Sequence, residues 1–252
     1  MKILTKEINY YLQCIQTDDP DLEHYNERHR HASEILKDYK LTKIHPFEID
    51  KDGDTESTLR SGAVAAARIM HQGLKDQDPT RPFQPFMLLE DDVSFYREMP
   101  DVINVPEGTD HLYCGNVLFG RTNGNTNTEI VADYHNEEMY RVYNMLGLHS
   151  VLICSPLGAA SFYGALIDAF RSSISWDVIM AEMLYFYNSY CLVEPIFYQD
   201  EQYGGKPEFT KFGAMNLNLV PGKDHIYQFS NFFAESATKR IACMGQDVPK
   251  YF

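Results

Sequence analysis

Positive charge is scarce in this chain. Its 252 residues carry 22 Lys and Arg against 36 Asp and Glu, a formal net charge of -14. Long-range repulsion on that scale opposes binding to phosphate backbones, so no nucleic acid is expected as a partner. Long apolar runs are missing too: no window approaches about eighteen apolar residues, and Met1 to Ile8 lacks the apolar core of a signal peptide. The expectation is a chain with no transmembrane segment and a cytoplasmic location. Cysteine is sparse and scattered. Cys14, Cys114, Cys154, Cys191 and Cys243 are odd in number, widely spaced and mostly set in apolar runs. That pattern excludes a CxxC metal site or a disulfide framework and fits buried free thiols in a reducing compartment. Internal repeats, low-complexity tracts and a Gly-rich Walker loop are also absent.

What is present is an ordinary globular composition, 44% hydrophobic and 23% charged, in a chain long enough to bury a substantial core as one domain spanning 1–252. The β-branched and aromatic content of Ile8 to Ile15 reads as a first strand, and Thr17 to Asp21 as a turn. A helix follows over Asp21 to Tyr39, carrying the basic cluster Arg28, His29, Arg30 and His31. Leu41 to Phe47 is a second strand and Asp50 to Asp54 a turn. Leu59, Ala63, Ala66, Ala67, Met70 and Leu74 mark a helix that Ser57 would cap.

Further strands are expected at Phe86 to Leu89, around His111 to Phe119 and at Ser150 to Cys154. A flexible loop or hairpin tip falls at Arg121 to Thr128. Ser155 and Pro156 open one more helix and Ser175 another, which runs through Tyr187; Cys191 to Tyr198 is extended. Strands alternating with helices point to an α/β fold: a mostly parallel central sheet flanked by helices, with its ligand beyond the carboxyl ends of the strands.

That rule gives meaning to the stretch FMLLEDDVSF, Phe86 to Phe95. A buried strand ends in three adjacent carboxylates, which repel one another and call for a compensating cation. Mg2+ and Mn2+ suit such oxygen ligands and leave room for water and substrate phosphates. Along extended chain Glu90 and Asp92 face one side and Asp91 the other. The alternative is a solvated strand end.

The same stretch resembles the apolar-strand-EDD-V segment of GT-A-fold glycosyltransferases, most closely glycosyltransferase family 25 of the lipopolysaccharide-biosynthesis type. Five more segments resemble that family in order: Leu59 to His71, His111 to Gly115, His149 to Ala159, Trp176-Asp-Val and Leu192 to Gln199. Together they span about residues 8–205, leaving 206–252 as an extension completing the domain. The first strand departs from the family, with Gln13-Cys-Ile-Gln16 where Asn-Leu and arginines are usual.

The resemblance implies a GT-A-like, Rossmann-like fold and a metal-dependent, inverting transfer of a hexose from a nucleoside-diphosphate sugar, UDP-linked, to a glycan or glycoconjugate hydroxyl. It implies Mn2+ or Mg2+ on Glu90 and Asp92, with Asp91, Arg60, Ser61 and Gly62 near the donor; apart from the resemblance, Arg28 and Arg30 suit the donor diphosphate because Arg pairs well with phosphate oxygens. Asp177 is the implied base for the acceptor hydroxyl. Each has a plainer reading: Asp177 suits the first turn of any helix, Arg28 and Arg30 suit a solvated helix face, and Gly62 suits a helix crossing. His225 lacks surroundings that would make it a ligand. Two other functions fit the residues: a Mg2+-dependent nucleotidyl or phosphoryl transferase, and a non-catalytic relative that binds glycans or partners.

Overall fold

The computed structural model describes residues 1–45, 55–117, 119–122, 125–172, 174–203 and 219–220, the side chains of 55–60, 121–128 and 220 apart. A nine-stranded sheet forms the centre. In chain order its strands are β1 (Asn9–Gln13), β2 (Lys40–Ile44), β3 (Phe86–Leu89), β4 (His111–Tyr113), β5 (Ile130–Asn136), β6 (Met139–Asn144), β7 (Ser150–Ile153), β8 (Ser189–Leu192) and β9 (Leu219–Val220). Across the sheet they lie in the order β9-β5-β6-β8-β4-β7-β3-β1-β2. The main helices are α1 (Glu23–Ile35), α2 (Thr55–Lys75), α3 (Pro156–Ser172) and α4 (Trp176–Met183).

The α/β class holds, but the sheet is mixed rather than mostly parallel. Strands β6 and β7 run against the other seven, and each pairs antiparallel with both of its neighbours, so half of the eight adjacencies are antiparallel. The cause is a hairpin to which the sequence reading assigned no element. At its tip Asn136 Oδ1 accepts the Glu138 N–H at 2.9 Å and turns β5 back into β6. The chain then crosses to lay β7 between β3 and β4. No helix among the described residues is long and apolar enough to cross a membrane.

Side chains alternate across the sheet, as strands covered on both faces require. Tyr11, Phe86, Leu88, Tyr113, Val151 and Ile153 join one apolar core with α2, α3 and α4. Tyr10, Leu12, Met87, Leu89, Leu112 and Leu152 join a second with α1. Four cysteines lie buried as free thiols; Cys243 is outside the described residues. Burial pushes Cys14 and Cys191 up to about 12, which keeps them unreactive.

Local chemistry sets the element ends. Ser155 Oγ accepts the Gly158 N–H at 2.9 Å and Pro156 takes the first position of α3, the expected cap. Ser57, by contrast, lies inside α2, which begins at Thr55. The helices expected over Asp21 to Tyr39 and from Ser175 to Tyr187 are shorter, and a 3-10 turn at Leu184–Phe186 follows α4. The strand expected to reach Phe119 stops at Tyr113. The segment Arg121 to Thr128 contributes to a hairpin pairing Gly120–Thr122 with Asn125–Thr128.

Candidate functional site

Strand β3 delivers the acidic triplet to the edge of the sheet where β1, β4 and β8 also end. There the chain turns, and Val93–Phe95 pairs antiparallel with Phe197–Gln199, setting Gln199 opposite Val93. The Asp200 N–H closes this pairing on Asp92 O at 2.8 Å. Gln199 is thereby seated against the acidic turn: its Nε2 donates to Glu90 Oε2 and to Asp92 Oδ2, both at 3.1 Å. One amide nitrogen touches both carboxylates, so Glu90 and Asp92 converge on a single point. Its polar role carried no signal in the sequence; Gln199 was visible only as the end of a late strand.

Asp91 has a different partner. Helix α1 presents Arg28 and His31, one turn apart, to this edge. Arg28 Nη2 lies 2.6 Å from Asp91 Oδ1 and 3.4 Å from Asp92 Oδ2. His31 Nε2 meets Ser94 Oγ at 2.7 Å, and Ser94 Oγ donates to Asp200 Oδ2 at 2.8 Å. Arg30 points away, pairing with Glu23 on the exposed helix face.

Among the described residues one guanidinium, that of Arg28, meets three carboxylates and does not balance them. Glu90 keeps some access to solvent but is otherwise enclosed by protein. Burial, then the Asp92 charge, push its carboxyl well above the ordinary range, and Arg28 only partly offsets them. Asp92 moves up for the same first reason, opposed by Arg28 and the Gln199 amide. Burial raises Asp91 to about 6 despite Arg28 and a backbone hydrogen bond from Ile15. Among the described residues the cluster is short of positive charge.

The other expected residues lie around this point or beyond description. Gly62 of α2 faces Gln13 at the end of β1 and Trp176 at the start of α4. A Cβ there would meet Gln13 Nε2 at 3.5 Å and Trp176 Nε1 at 4.0 Å, ordinary contacts, so protein packing does not demand the glycine. Ser61 beside it is half-buried; the Arg60 side chain and His225 fall outside the described residues. Asp177 adds to the charge felt by Glu90 and by Tyr113, which places it on the same side of the sheet. Its Oδ1 is taken by the Ser175 hydroxyl and the Val178 N–H; among the described residues its Oδ2 makes no hydrogen bond.

Several polar atoms along this edge are buried with no partner among the described residues: Gln13 Oε1, Asp92 Oδ1, the Tyr113 hydroxyl, Asn116 Oδ1 and both ring nitrogens of His149. Native interiors leave few such groups unpaired, so their gathering at one edge marks a place for water or ligand. His149 is held close: its backbone oxygen accepts the Glu90 N–H at 3.0 Å, and its ring fills the space a Cβ on Gly115 would need. Burial pushes that ring down to about 4, which keeps it neutral.

Among the described residues no three His, Cys, Asp or Glu side chains gather as a metal-ligand set. Two converging carboxylates are nevertheless a sufficient protein share for Mg2+ or Mn2+, whose remaining positions go to water and substrate phosphates. Their all-oxygen chemistry, the orphaned Asp92 Oδ1 and the uncompensated charge fit such an ion. Compared with family models, characterised proteins and solved structures, the chain matches none.

Proposed function

We propose that the chain is a metal-dependent glycosyltransferase that moves a hexose from a UDP-linked sugar to a glycan or glycoconjugate hydroxyl with inversion. The observation that carries this reading is the convergence of Glu90 and Asp92 on one amide nitrogen at the carboxyl end of β3. The ordered motif resemblance, from Leu59 to Gln199, supplies the reaction class.

Glu90 and Asp92 would hold Mn2+ or Mg2+, exchanging the Gln199 contact for the ion. The ion supplies charge neutralisation for a leaving diphosphate without proton transfer. Arg28 keeps Asp91 and Asp92 in place; it meets the donor only by loosening its 2.6 Å pair with Asp91. Gly62 leaves room for the donor to approach α2. Asp177, its Oδ1 fixed by Ser175 and Val178, offers Oδ2 to take the proton of the acceptor hydroxyl.

The test is sugar release and transfer from a panel of UDP-hexoses, with Mn2+ and with chelator. Turnover should require the ion, and Asp177→Asn should lower transfer by about 10² to 10⁴ while leaving UDP binding intact. Transfer at the wild-type rate in Asp177→Asn would remove that residue from the reaction; turnover indifferent to chelator would remove the metal.

A further inference from the structure

A recess of about 400 Å3 lies beyond the far end of the strand pair that carries Gln199. One wall is Val102 to Asn104; the other combines the tip of the β5–β6 hairpin with the chain leaving β8. The Val193 N–H donates to Glu138 O at 2.9 Å and fixes that second wall. Met139 and Leu192, both buried, line it with apolar surface, while Glu137, Glu138 and Glu194 stand exposed at its rim.

The first wall is a sheet edge with unused hydrogen bonds. Val102–Asn104 pairs antiparallel with Lys2–Leu4 alone, setting Lys2 opposite Asn104. On either side of this ladder the Val105 N–H donates to Met1 O at 2.9 Å and the Thr5 N–H to Asp101 O at 3.0 Å. Antiparallel strands bond through every second residue, so Asp101, Ile103 and Val105 turn their polar groups to the partner strand. The N–H and C=O groups of Val102 and Asn104 therefore face away from it, and among the described residues nothing pairs with them. The edge carries neither a bulge nor a lysine, two devices that keep a further strand off.

Charge selects the occupant. Three carboxylates and one guanidinium line the recess. That guanidinium, Arg97, is already held by Glu194: its Nε lies 3.3 Å from the backbone oxygen and 3.7 Å from Oε2. Among the described residues Glu137 and Glu138 have no cation.

We infer that this face docks an extended basic peptide of a partner protein, which adds a strand along Val102–Asn104 and sets a Lys or Arg side chain against Glu137 and Glu138. Main-chain bonds to the edge supply affinity, and the recess selects among the side chains that alternate along the added strand. The net charge of -14 draws a basic segment toward the chain. The inference does not rest on the sugar-transfer reading.

Fluorescence anisotropy of the full chain with a fluorescein-labelled heptapeptide alternating Val and Lys tests it. Saturable binding with Kd below about 100 μM is expected. It should weaken at least about tenfold in Glu137→Lys/Glu138→Lys, and likewise when the peptide is N-methylated at its three central residues. Glu27→Lys/Asp38→Lys, which changes the net charge equally at exposed positions elsewhere, should bind within about threefold of wild type. Glu137 and Glu138 are exposed, so their variant should keep the wild-type circular dichroism. No saturable binding, equal loss in the two charge variants, or equal binding of the N-methylated peptide would overturn the inference.

Discussion

Glu90, Asp91 and Asp92 are held folded in a state that disfavours their own charge. A carboxyl whose folded pKa lies above its unfolded value binds its proton more tightly in the folded chain. Its contribution to stability is therefore present in acid and lost as pH rises, for Asp91 between the ordinary 3.8 and about 6. Buried His111 and His149, both pushed down to about 4, act in the opposite sense: their contribution holds above 6.5 and is lost as pH falls. Comparison with a variant separates the two. Glu90→Gln, which removes a buried charge at nearly constant shape, should stabilise the metal-free protein on the order of 1 kcal/mol at about pH 7.5 and by much less at about pH 5. Mn2+ should raise the wild-type Tm at the higher pH, do so less at the lower, and leave Glu90→Gln almost unmoved. Thermal unfolding of both proteins checks all three; a Glu90→Gln variant less stable than wild type at every pH would contradict the charge argument.

At the scale of elements, the strands and helices that carry the site were legible because their apolar patterns are strong. FMLL reads as a buried strand, the alanine-rich face of α2 as a helix, and Ser155-Pro156 as a helix start. The reversed strands were not legible. Their hairpin depends on an Asn136 side-chain contact in a stretch of mixed polarity, and strand direction leaves no trace in periodicity. The crossover from β6 to β7 depends on Gly147, which has φ +83° and lies where a Cβ would fall 2.3 Å from Val117 Cγ1. Gly147→Ala should therefore cost about 2 kcal/mol in denaturant unfolding, through both the left-handed backbone and the clash. A variant as stable as wild type would show that the crossover relaxes freely.

At the scale of the whole molecule, the sheet brings together residues far apart in sequence. Arg28 from α1, Glu90 to Asp92 from β3, Asp177 from α4 and Gln199 from a late strand meet at one edge. The alternation of Glu90 and Asp92 could be read from three residues of sequence. The Arg28 pairing with Asp91 and the Gln199 bridge could not, because both are tertiary contacts between elements whose spacing encodes nothing about each other. Strand alternation alone turns Asp91 to the far side of the strand without a partner; the fold supplies one, Arg28, at 2.6 Å. The net charge of -14 opposes anionic ligands at long range, so the proposed donor diphosphate would need a bound cation at the acidic turn.

The most direct measurement is calorimetric titration of UDP into the protein with Mn2+ and, separately, with chelator, repeated on Asp92→Asn. UDP binding should require Mn2+ and weaken at least about tenfold in Asp92→Asn. Equal UDP affinity with Mn2+ and with chelator, or unchanged binding in Asp92→Asn, would contradict the assignment of the acidic turn as a metal and nucleotide-sugar site.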